Sequence, residues 1–73
     1  MFPLSLAKPG EEVIVDRIIG GYGFQRKLFE MGIYPGERIR VISSDRGPVL
    51  IEVKGSRFGI GYGMAKRILV RRF

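Results

Sequence analysis

The amino-acid pattern predicts a mainly β fold, a small five-stranded antiparallel barrel with one short helix after the first strand and a helical turn before the last. Three observations carry this. Short runs rich in Val and Ile recur between Gly-, Pro- and Ser-bearing breaks, as strands do. Only Phe24, Leu28 and Met31 recur at the i, i+4, i+7 spacing of a helical apolar stripe. The third and fourth strands are joined by Lys54-Gly55-Ser56 alone, a connection so short that they must run antiparallel.

Leu4 and Leu6 lead into Ala7-Lys8-Pro9-Gly10-Glu11, where Pro9-Gly10 marks a tight turn. Glu12 to Ile19 is the first strand. Val13, Ile14 and Val15 run together there, which suits a strongly curved strand, and Asp16 and Arg17 mark a solvated point. Gly20-Gly21-Tyr22-Gly23 breaks it, and the helix follows. Gln25, Arg26, Lys27 and Glu30 lie mostly away from the apolar stripe.

Gly32 falls where a helix needs a left-handed C′ residue, with Ile33 placed to fold back on the last turn as the apolar partner of a Schellman stop. Tyr34-Pro35-Gly36-Glu37 is a type II turn, since proline presets φ at its second position and glycine accepts positive φ at its third. The second strand, Arg38 to Ile42, alternates Ile39 and Val41 with Arg38 and Arg40. After a polar loop, Ser43–Pro48, Val49, Ile51 and Val53 alternate with Glu52 and Lys54 in the third. Arg57–Ile60 pairs back as the fourth, Gly61–Arg67 supplies a helical turn, and Ile68–Arg72 is the last strand. Closing such a sheet removes free edges, and an SH3-like barrel is the common solution at this size.

Seventy-three residues read as one domain, 1–73, near the size at which one core supplies only a few kcal/mol. No cysteine is present, so a reducing compartment is the natural home. No apolar run approaches the ~20 residues of a membrane span, and the N-terminus has neither the basic leader nor the long apolar segment of a signal peptide. A cytoplasmic protein is expected. The net charge of +6 favours acidic partners of any kind, and its dispersal does not choose among protein, nucleic acid and anionic membrane.

The ordered series of motifs resembles the FeoA family, the small cytoplasmic components of ferrous iron uptake. Leu28 with Met31-Gly32-Ile33-Tyr34-Pro35-Gly36 matches that family's Leu–x–x–φ–Gly–φ–x–Pro–Gly pattern, φ being apolar. The likeness also takes in Leu4-Ser5-Leu6, Pro9-Gly10, Ile18-Ile19-Gly20-Gly21, Gly47-Pro48-Val49 and the run from Ile60 to Val70. The resemblance implies an SH3-like barrel that partners FeoB, a membrane iron transporter with a cytoplasmic GTPase domain. The same fold occurs as a C-terminal domain of metal-dependent repressors, and this chain has no room for a DNA-binding domain before it.

Residue chemistry argues against catalysis. With no histidine or cysteine, the usual proton shuttle at neutral pH and the best nucleophile are missing. The carboxylates are spread over different elements, and the adjacent Glu11 and Glu12 point to opposite strand faces. Ferrous iron would want imidazole or clustered carboxylates, so no metal ligands and no cofactor are assigned; Met1, Met31 and Met64 suit core filling better. Gly20-Gly21-Tyr22-Gly23 precedes a helix but lacks the Gly-Lys-Ser/Thr of a phosphate loop, and a tight strand-to-helix turn accounts for it.

What remains is protein–protein contact. Tyr22, Tyr34 and Tyr62 stand beside Gly or Pro, where an exposed tyrosine offers contact area at low entropy cost. With Phe24, Arg26 and Lys27 of the helix they form the candidate partner surface, the basic pair steering an acidic surface of a FeoB-like transporter's cytoplasmic domain. The alternative is a nucleic-acid-binding small barrel. Such barrels interleave basic residues with exposed aromatics on strand faces, and Phe58 is the only aromatic inside an expected strand, facing inward. Self-association through an edge, or through exposed Leu50 and Leu69, would give a homo-oligomer.

Overall fold

A computed structural model of the chain describes residues 1–45 and 47–73, so the Arg46 position of the expected polar loop lies outside the described residues. The chain order is β1 (Phe2–Pro3), a 3-10 turn (Leu4–Leu6), β2 (Glu12–Ile18), α1 (Tyr22–Glu30), β3 (Arg38–Ser43), β4 (Val49–Val53), β5 (Ser56–Ile60), α2 (Tyr62–Ala65) and β6 (Ile68–Arg72). The strands form an antiparallel sheet in the order β1-β6-β2-β3-β4-β5.

Alternation decides which side chains enter the core. Ile39 and Val41 of β3, then Val49, Ile51 and Val53 of β4, are buried at every second position. In β2 the alternation breaks where the register against β6 shifts between Val15 and Arg17. That bulge leaves Asp16 and Arg17 exposed and returns Ile18 to the interior. The run Val13-Ile14-Val15 lies before the bulge and still alternates, with Val13 and Val15 buried and Ile14 half-buried on the other face. The buried side chains belong to one apolar cluster, which Phe2, Phe24, Met31, Phe58 and Met64 cover from its margins.

α1 is held to the sheet by its predicted stripe, with Leu28 fully buried and Phe24 and Met31 half-buried. Its end has the Schellman pattern: the Gly32 N–H donates to the Phe29 carbonyl at 2.9 Å, and the Ile33 N–H to the Leu28 carbonyl at 2.8 Å. Gly32 has φ +89°, and a Cβ there would stand 3.2 Å from Val53 Cγ1. Ile33, fully buried, joins Leu28 in the core. The type II turn follows as expected, with φ +97° at Gly36 and the Glu37 N–H donating to the Tyr34 carbonyl at 3.0 Å.

Two expectations are corrected. The sheet has six strands among the described residues, because Phe2 and Pro3 pair with Val70 and Leu69 of β6. A two-residue strand is below the length at which alternation shows, and Pro3 is tolerated only because it lies at an edge. The helix therefore follows the second strand, and Phe58 is not the only strand aromatic; Phe2 is another, with the Arg72 guanidinium 4.6 Å from its ring centre. Second, no ladder joins β1 to β5 among the described residues, so the sheet wraps the core without closing by hydrogen bonds. β1 is too short to bridge that gap, and the outer edge of β5 is left without a strand neighbour.

Candidate partner-binding groove

The strand-to-helix connection and the type II turn are both tied to β2, and the space between them is a groove. The turn is fixed by backbone bonds on both sides of Val15, whose N–H donates to the Glu37 carbonyl at 2.9 Å and whose carbonyl accepts from Gly36 at 2.8 Å. At the other end, Gln25 Nε2 donates to the Gly20 carbonyl at 2.9 Å. Gly20 itself is demanded by a close approach. A Cβ there would fall 2.6 Å from Phe24 Cδ2, so a larger residue would push α1 away from β2.

The groove has a volume of about 280 Å³ and is lined by Ile18, Tyr22, Gln25, Arg26, Phe29, Ile33, Tyr34 and Pro35. That is small beside the roughly 300–1,000 Å³ of sites that enclose a drug-sized ligand, and it suits one or two side chains of a partner. Its walls are aromatic. Phe29 and Tyr34 meet at 5.3 Å between ring centres with planes tilted by 42°. Phe29 is 62% exposed and Tyr22 79%, although both stand on a nine-residue helix anchored by the buried Leu28. Large apolar surface held out on a rigid element is the usual makeup of a binding anchor.

Charges frame these walls. Lys54, on the β4–β5 turn, donates from Nζ to the Tyr34 hydroxyl, lies 4.7 Å from that ring's centre and pairs with Glu37 Oε1 at 3.3 Å. The Tyr34 hydrogen bond, then Glu37, hold the ammonium above its ordinary pKa against partial desolvation. Arg26 Nε lies 3.5 Å from Glu30 Oε2 one helical turn on, which neutralises much of its field. Lys27 has no such carboxylate among the described residues. No three of His, Cys, Asp and Glu come together among the described residues, so the groove offers apolar contact and positive charge.

Of the residues expected at a partner surface, Tyr22, Arg26 and Tyr34 line the groove. Phe24, Lys27 and Tyr62 do not. Phe24 is half-buried, with the Arg67 guanidinium 4.3 Å from its ring centre. Lys27 is exposed on α1 outside the lining, and Tyr62 opens α2, with Lys66 Nζ 5.8 Å from its ring centre. Sequence reasoning missed Ile18, Gln25, Phe29, Ile33 and Pro35 as lining residues. A signal for Phe29 existed: it is a large aromatic off the helix's apolar stripe.

The FeoA domain model matches residues 2–72. A Methanocaldococcus jannaschii protein, provisionally named Fe(2+) transport protein A, is 49% identical over 70 residues, which cover 96% of this chain and 85% of that protein. A crystal structure described as iron uptake regulatory protein (FeoA) superposes with TM-score 0.91 at 46% identity, covering 99% of this chain and 96% of that one. The zinc-bound crystal structure of ScaR contains the same fold, at TM-score 0.89 and 23% identity. It covers all of this chain and 37% of ScaR.

Proposed function

The chain belongs to the FeoA family, and we propose that it serves ferrous iron uptake as a non-catalytic cytoplasmic adaptor. Its partner in this reading is the cytoplasmic part of a FeoB-like membrane GTPase transporter, and residues 1–73 act as one SH3-like module. The observation that carries the reading is the aromatic groove, where exposed Tyr22 and Phe29 stand out from a rigid helix beside the half-buried Tyr34 of the turn. An exposed phenylalanine on an ordered helix contributes nothing to the core, whereas covering it with a partner's apolar side chain releases water from both surfaces. The positive charge of Lys27 and the net +6 of the chain would speed encounter with an acidic transporter surface.

The adaptor role requires no acid–base pair. Titration calorimetry of this chain with the cytoplasmic part of a FeoB-like transporter tests the reading. Saturable binding that weakens at least ~10-fold in Phe29→Ala supports it. Equal binding by wild type and Phe29→Ala would move the contact off the groove, and no binding at modest salt would end the adaptor reading.

A further inference from the structure

A row of alternating charge crosses the outer face of the sheet and stops at an open edge. Glu12 of β2 is opposite Arg40 of β3, Arg40 is opposite Glu52 of β4, and Glu52 is opposite Arg57 of β5. Within the row Arg40 Nη1 lies 4.0 Å from Glu52 Oε1, and Glu12 Oε1 is met from outside it by Arg38 Nη1 at 3.7 Å. Cross-strand pairs of opposite charge stabilise a sheet modestly, and each interior member of this row has such a neighbour. Arg57 differs. It is exposed, has no ion pair among the described residues, and belongs to the strand that ends the sheet.

The backbone beside it is accessible as well. Gly59 is exposed, and a Cβ there would meet only Pro48 Cβ, at 3.9 Å. On the opposite face of the same strand Phe58 packs against the core but stays half-buried, leaving ring surface at the edge. An unpaired edge of this length is a template for another strand unless charge or covering elements block it.

We propose that the β5 edge takes up an extended peptide segment in which acidic and apolar residues alternate. The added strand would put a carboxylate across from Arg57, continuing the charge row, and apolar residues on the inner side over Phe58. Backbone hydrogen bonds would supply affinity and the alternate side chains the selectivity, as in other strand additions. A second copy of this chain does not meet the requirement. β5 reads Ser-Arg-Phe-Gly-Ile and contains no carboxylate, and both copies carry a net charge of +6. The proposal is independent of the α1 groove, and either site could fail without the other.

A synthetic octapeptide of alternating valine and glutamate, titrated into 15N-labelled protein, tests it. The expected result is amide shifts concentrated in Ser56–Ile60 and slowed hydrogen exchange along that edge. Arg57→Gln should weaken this peptide several-fold, since the only cation at the edge is removed. Arg57→Glu, which also faces Glu52 across the hairpin, should prefer a valine–lysine octapeptide. Because Arg57 is exposed and Arg57→Gln sets no like charge opposite Glu52, that variant should keep the wild-type spectrum elsewhere, which separates lost binding from lost fold. Shifts that map to the α1 groove, indifference of binding to the charge at position 57, or absence of binding at about millimolar peptide would overturn the proposal. Concentration-dependent shifts in β5 without peptide would also overturn it, by showing that the edge is occupied by a second copy.

Discussion

The Phe29 and Tyr34 rings, five residues apart across the helix stop, meet at 5.3 Å and wall one side of the groove. Three local devices produce this contact. Gly32 ends the helix in a left-handed conformation, Ile33 plunges into the core, and Gly36 allows the turn that Lys54 clamps from the neighbouring hairpin. The groove is thus a consequence of the helix stop, and its parts can be tested separately.

Gly32→Ala should lower stability by about 1–2 kcal/mol, because alanine resists positive φ and its Cβ would press on Val53 Cγ1 at 3.2 Å. For a domain this small each kcal/mol is roughly 4–8 °C of Tm. Calorimetric melting reads the effect directly, and an unchanged Tm would mean that the Schellman stop is not held as described.

Leu28→Ala should be more damaging, by about 2–5 kcal/mol, since it empties a fully buried position. It removes the single buried residue of α1. Against the ~5 kcal/mol typical of so small a domain, that leaves about 0–3 kcal/mol, so the urea midpoint should fall to at most about two-thirds of the wild-type value at unchanged m. Phe29→Ala, by contrast, loses an exposed ring and its contact with Tyr34, so it should cost about 0.5–1.5 kcal/mol and leave the chain folded for binding measurements.

Local grammar explains how much of this could be read beforehand. The helix stop and the Tyr34–Glu37 turn were legible because each depends on a few adjacent residues with strict backbone needs. The solvated point of β2 was legible at Asp16 and Arg17, although the bulge there appears only once β6 supplies the register. β1 was not legible, because two residues carry no period. The groove was legible in part. Tyr22, Arg26 and Tyr34 were marked by exposure-prone chemistry, but Phe24 satisfies the same criteria and is packed under Arg67 instead. Phe29 was overlooked because periodicity identifies the buried face of a helix and says little about which outward residues gather around a neighbouring turn.

Acid should unfold the protein partly through Glu11. Its carboxylate accepts from the Lys8 backbone N–H at 2.9 Å and meets Arg72 Nε at 2.6 Å, and these contacts hold its pKa below the ordinary value. A lowered folded-state pKa means stability that is present above the unfolded value and lost as pH falls through the folded one. Glu11→Gln should therefore be less stable than wild type at pH 7 and approach it as pH falls below the ordinary carboxylate value and through the lowered folded one, in melting curves taken across acid pH.

The alkaline side has the opposite sign. The Lys54 pKa is raised in the folded state, so its contribution is present below the unfolded value and fades as pH rises through the folded one. Lys54→Met should be less stable than wild type at neutral pH, and the difference should shrink as pH rises past the ordinary lysine value and through the raised folded one. Tyr34→Phe, which deletes the hydroxyl that Lys54 donates to, should reproduce part of that loss.

The most direct test of the adaptor account is to map the contact itself. Amide resonances of the 15N-labelled chain would be followed while the unlabelled cytoplasmic part of a FeoB-like transporter is added at modest salt. The account predicts perturbations centred on Tyr22–Phe29 and Ile33–Pro35, which Phe29→Ala abolishes without altering the free spectrum beyond its neighbours. Perturbations confined to other surfaces, or a spectrum unmoved by saturating transporter domain, would contradict it.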